Sequence, residues 1–169
     1  MSNASTSAAP QAPTMVFERT YRARIEELWE LWTSKEGFES WWGPEGFRAE
    51  VRALEARVGG TLHYAMIADA PEQIEAMKRM GHPTSHEVRA RFTELTPPHR
   101  LAITSVIDFL PQVQPYEWTI VVDFFPAGES VRMVITAAAM HDEAFTRITI
   151  VGFTSQLTKL DKRFGGQKG

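Results

Sequence analysis

Side chains able to hold a ligand or move a proton are few in this sequence, and they are widely spaced. His86 alternates with Val88, Ala90 and Phe92 along a strand-like run, so the pleat turns it to the same side as those apolar residues. An imidazole on an apolar face can orient a polar group of a ligand or exchange a proton near neutral pH. At a strand end it is also an ordinary hydrogen-bonded structural residue. Tyr64 puts a phenol on the face of Leu62 and Met66, while His63 turns to the opposite, outer side. Gln156 places an amide on the apolar face of the last helical run. Thr149 lies on the same face, and Gly152 between them allows a close approach. Trp41 and Trp42 are neighbours in a helical stretch, and adjacent helical positions diverge by about 100°. One ring is expected to fill the core and the other, Trp42, to face a cavity mouth; packing by both is the simpler account.

Other combinations carry less chemistry. His141-Asp142-Glu143 looks like a cluster, but adjacent residues at a helix start point in different directions and do not converge on a metal. Asp142 reads as an N-cap and Glu143 suits the positive end of the helix dipole. His82 and His86 are four apart, but Pro83 and a turn deny them a common helical face. The chain has no cysteine, which removes thiol nucleophiles, zinc–thiolate sites and disulfides. It has no Gly-x-Ser-x-Gly elbow, no phosphate-binding glycine loop and no dinucleotide fingerprint. No catalytic residue, metal or cofactor is therefore assigned, although one histidine and one acid in a cavity would suffice for acid–base chemistry.

The elements that must position these residues follow from hydrophobic periodicity. Met15 to Tyr21 reads as a strand whose buried face the pattern leaves open. Ile25, Leu28, Trp29 and Trp32 keep helical spacing, and Ser34 suits the cap of a second short helix over Lys35 to Trp42, stopped by Gly43-Pro44. Phe47 to Leu54 alternates as a half-buried strand, and Thr61 to Ile67 follows across the Gly59-Gly60 turn. Asp69 to Gly81 reads as a short helical insertion with an adaptable methionine-bearing face. Four strands come next, over His86 to Leu95, Leu101 to Phe109, Trp118 to Phe125 and Val131 to Ala139. Their short turns predict an antiparallel meander. From Asp142 a long helix reaches about Phe164, with Phe145, Ile148, Thr149, Gly152, Phe153, Gln156, Leu157, Leu160 and Phe164 on one face.

The fold class this predicts is α+β: a curved antiparallel sheet wrapped around a long C-terminal helix. The 169 residues suit one domain over 15–164, between a disordered tail at 1–14 and a flexible C-terminus at 165–169. A formal net charge of -3 gives no reason to expect nucleic acid, and no apolar run reaches the roughly 20 residues a membrane helix needs.

The order strand, LWELWTSKEGFESWWGPEGF, charged strand, VGGTLHYAM and TELTPPHRLAIT resembles the START-like (SRPBCC) superfamily. More narrowly it resembles the branch named after the activator of the heat-shock-protein-ninety ATPase. The likeness spans Val16 to Phe164, and its most specific parts are Trp41-Trp42-Gly43-Pro44-Glu45-Gly46-Phe47, Gly59-Gly60 and Pro97-Pro98-x-Arg100-Leu101. The helical insertion near Glu72 to Met80 departs from the plain hairpin of many relatives. The resemblance implies a helix-grip fold with a mostly apolar cavity and no single shared chemistry; it brings stress response as an expected context, while the branch name is not evidence of a chaperone role.

The expected function is binding of a small, largely hydrophobic molecule between sheet and terminal helix, lined by Trp42, Tyr64, Met66, His86, Trp118, Met133, Phe153 and Gln156. The alternatives are an enzyme using His86 in that cavity and a chaperone-cofactor-like interaction module. The expected setting is cytoplasmic, with no membrane insertion, no nucleic acid and homodimer formation left open.

Overall fold

A computed structural model describes residues 14–108, 110, 112–165 and 167–168. The expected N-terminal tail lies outside the described residues except for Thr14, which opens the first strand. In chain order the elements are β1 (Thr14–Tyr21), α1 (Ile25–Thr33), α2 (Lys35–Glu39), β2 (Phe47–Leu54), β3 (Thr61–Ala68) and α3 (Pro71–Arg79). Then come β4 (Ser85–Thr96), β5 (Arg100–Ile107), β6 (Tyr116–Ala127), β7 (Ser130–Ala138), α4 (Glu143–Phe164) and β8 (Gln167–Lys168). All strands pair antiparallel in one sheet of order β2-β3-β4-β5-β6-β7-β1-β8. The curved sheet and long C-terminal helix form the predicted α+β helix-grip architecture. Among the described residues no helix is long and apolar enough to cross a membrane.

The face of β1 that the sequence leaves open is settled by burial: Met15, Phe17, Arg19 and Tyr21 point inward. An arginine on that face needs a partner. Asp161 of α4 supplies it, accepting from Arg19 Nε at 3.2 Å and from the Tyr21 hydroxyl at 2.8 Å. Burial first, then the Asp161 carboxylate, drives the Tyr21 hydroxyl far above its ordinary pKa, so it remains a donor. This triad ties the second half of α4 to the sheet. Gly165 then turns left-handed at φ 62°, and Gln167–Lys168 pairs with Arg19 and Thr20, where a flexible end was expected.

Ser34 links α1 to α2. Its hydroxyl accepts from Gly37 N at 3.0 Å and donates to Glu30 O at 3.0 Å. The second helix is shorter than expected and ends at Glu39, after which Trp41 and Trp42 enter a turn. Gly43 and Gly46 hold φ of +107° and +90°, where side-chain-bearing residues are strained. These two glycines let residues 43–47 fold back against α4. Gly43 N donates to Gln156 Oε1 at 2.9 Å and Glu45 N to Ser155 Oγ at 2.9 Å. Thr158 Oγ1 donates to Glu45 Oε2 at 3.0 Å and Lys159 Nζ to Phe47 O at 3.1 Å. The Thr158 hydroxyl, with Lys162 and Lys159 beside it, holds the Glu45 carboxyl below the usual carboxylate range. The segment that carries the resemblance is thus a buckle between sheet and helix.

The apolar stripe of α4 works along its second half, where Phe153, Leu157 and Leu160 are buried. Ile148, expected on that stripe, is 64% exposed and Val151 is 69% exposed. At 100° per residue Ile148 falls roughly 120° from the stripe's centre, which puts it on the solvent side. The insertion forms the expected helix α3, with Pro71 in its first turn and Ala70 rather than Asp69 at the cap; none of its residues is buried.

Candidate functional site: an apolar cavity under Trp42

The inner face of the sheet is built in rows of facing side chains. Leu62, Ala90, Ser105 and Trp118 are cross-strand partners on β3, β4, β5 and β6. Facing cross-strand residues share one side of a sheet. The two middle members of this row are small, so the row is hollow at its centre. Ile103 and Ile120 form the floor beside it, Tyr64 one wall, and Phe38 and Trp42 the roof. The space has a volume of about 40 Å³. A cavity of about 150 Å³ holds a benzene ring, so one ring is the upper limit for an occupant here. Wider hollows elsewhere, such as those beside Arg22 to Glu27 and beside Glu30 to Gly37, are open grooves with charged walls.

The aromatic shell is pre-arranged. Phe38 stacks on Trp42 with centroids 4.7 Å apart, and Trp32, Trp41 and Phe153 meet Trp42 edge-on at 5.5, 5.2 and 5.7 Å. Trp42 Nε1 donates to the Tyr64 hydroxyl at 3.0 Å. Burial pushes the Tyr64 hydroxyl up to about 12, against the opposing effect of the Trp42 hydrogen bond, so it stays protonated at physiological pH. Among the described residues that oxygen has no second partner, and its own hydrogen is uncommitted. Trp118 Nε1 donates to Ala138 O at 2.8 Å, which fixes its ring at the other end of the row.

Of the eight residues expected to line a ligand, the structure brings Trp42, Tyr64 and Trp118 together around this space and places the other five elsewhere. Met66 pairs with His86 at the far end of β3 and lies under the turn; its Sδ is 3.2 Å from where a Cβ on Gly43 would stand. His86 is on the inner face as its alternation predicts, at the start of β4 opposite Met66. The residue as a whole is exposed, yet desolvation of its ring outweighs the Glu87 carboxylate and lowers its pKa. Met133 is fully buried in register between Arg19 and Phe124. Phe153 stacks on Phe17 at 4.8 Å and stands behind Trp42. Gln156 is 4% exposed, and its carbonyl is taken by Gly43 N–H. The space therefore lies between the sheet and the Trp42 ring, and α4 contributes no wall to it.

Sequence reasoning passed over Ala90 and Ser105, whose small size makes the cavity. The signal for Ser105 is a polar residue in the alternating inner set Leu101, Ile103, Ser105, Ile107. It also passed over a contact of His141: Nδ1 lies 3.0 Å from the Tyr116 hydroxyl, and Tyr116 shares the inner face of β6 with Trp118. His63 is on the outer face as expected, 2.8 Å from Glu87.

The chain was compared with known proteins. The profile of the family described as "Activator of Hsp90 ATPase homolog 1-like protein" matches residues 22–165. The chain belongs to this family. Three solved structures carry the same fold. Protein CV1439 from Chromobacterium violaceum is 20% identical, with a TM-score of 0.72 over 89% of this chain and 96% of that one. The AHSA1 (SPO3351) protein from Silicibacter pomeroyi is 20% identical, with a TM-score of 0.69 over 89% and 96%. A protein from Staphylococcus epidermidis is 19% identical, with a TM-score of 0.68 over 93% and 92%. No functionally curated protein matches. At these identities the likeness establishes the fold, and the chemistry rests on the site.

Proposed function

We propose that the protein binds a small, largely apolar molecule in the cavity under Trp42. The observation that supports this most is the hollow centre of the Leu62–Ala90–Ser105–Trp118 row beneath a rigid aromatic roof. A core without a task would be expected to fill such a hollow, since unfilled apolar volume is destabilising. Walls that are mostly apolar with one or two hydroxyls match the general make-up of small-molecule sites. At this size the occupant is at most one ring, because most drug-sized ligands need about 300 Å³ or more.

The test is thermal unfolding of wild type and Ala90→Phe, with and without millimolar benzene. Ligand at about ten times its dissociation constant stabilises the native state by about 1.4 kcal/mol. For a domain of this size that is a rise of about 3 to 6 °C in Tm. The rise is expected in wild type and not in Ala90→Phe, whose ring fills the hollow. An equal rise in both, or in neither, contradicts the assignment.

A further inference from the structure

The cavity is not uniformly apolar, and its polar content has a direction. Tyr64 lines it with a hydroxyl whose oxygen already accepts from Trp42 Nε1 at 3.0 Å. An indole N–H can only donate, so within this pair the phenol must be the acceptor. The Trp42 bond therefore leaves the phenolic hydrogen as the group free to meet an occupant. It also stops the hydroxyl from rotating freely, and accepting one hydrogen bond makes it a stronger donor. Trp42 is itself held by Phe38, Trp32, Trp41 and Phe153, so the donor is aimed by a rigid chain of rings. No charged side chain lines the space. An ionised occupant would be buried without a counter-charge, which is strongly unfavourable.

Resting on the cavity reading above, we infer that the occupant is a neutral, single-ring molecule carrying one hydrogen-bond acceptor, such as a ketone or ester oxygen, received by the Tyr64 hydroxyl. A site that presents a fixed, desolvated donor also discriminates. An isostere lacking the acceptor leaves that donor unpaired.

Two probes of similar size separate the terms: acetophenone, which carries a carbonyl acceptor, and α-methylstyrene, which has a methylene in place of that oxygen. Their affinities for wild type and Tyr64→Phe are read from titrations of the tryptophan indole N–H resonances. Acetophenone is expected to bind Tyr64→Phe about five-fold more weakly than wild type, the scale of one hydrogen bond. α-Methylstyrene is expected to bind Tyr64→Phe at least as tightly as wild type, because the variant has no donor to leave unpaired, and its binding also reports that the variant is folded with its cavity intact. If both probes lose affinity equally on Tyr64→Phe, or neither does, the acceptor inference fails and the cavity reading stands. If neither probe binds wild type, the cavity reading fails and the inference with it.

Discussion

Gln156 shows how the face a residue occupies can be read from the sequence while its partner cannot. Its place on the apolar side of the last helix is visible in the sequence, and it is buried there. Its partner is the backbone of Gly43, 113 positions away, which no local pattern discloses. Its Nε2 has no acceptor among the described residues, so the amide brings one useful group and one uncompensated one. Gln156→Met removes both at similar volume and is expected to change stability by less than about 1 kcal/mol. Gln156→Ala also opens a cavity and is expected to cost about 2 to 4 kcal/mol. Urea unfolding of the two variants checks the difference, and equal losses would mean that the Gly43 bond dominates. His86 carries the same lesson: alternation reports the face, but not that the residue stays exposed at the strand's start.

Among the described elements, β1 to β7, helices α1 to α4 and the Asp142 cap were legible because each follows a local period or a terminal signal, whereas β8 carries none. The ties between them were not. Arg19 on β1 and Asp161 on α4 are 142 residues apart, and only their meeting explains an arginine 6% exposed on an inward face. Removing one partner strands the other. Asp161→Ala is therefore expected to lower stability by about 3 kcal/mol, near the lower end for a broken buried pair because Asp161 is partly open. The double variant Arg19→Met, Asp161→Leu is expected to be less destabilised than Asp161→Ala alone, since it leaves no uncompensated charge. A double-mutant cycle by chemical denaturation measures the coupling, and additive losses would show that the pair contributes nothing specific. The glycine turn after Trp42 belongs to the same class: the sequence marks a stop at Gly43-Pro44, while its docking on Ser155, Gln156, Thr158 and Lys159 appears only in three dimensions.

At the scale of the molecule, the fold was legible from element order. The cavity's position was not, because a hollow is made by what is small as much as by what is large. Ala90 and Ser105 attract no notice singly; the pairing register that sets them side by side makes the space. The same register explains why α4 forms no wall, since the Trp42 and Phe38 rings close the hollow first. The central claim is that this space receives a small apolar molecule. Its most direct test is a titration of 15N-labelled protein with acetophenone, followed on the five tryptophan indole N–H signals. Trp42 and Trp118, the two indoles that border the cavity, are expected to shift together with one saturating isotherm, while Trp29 stays in place. No saturable shift at Trp42 and Trp118, or a shift confined to Trp29, would contradict the account.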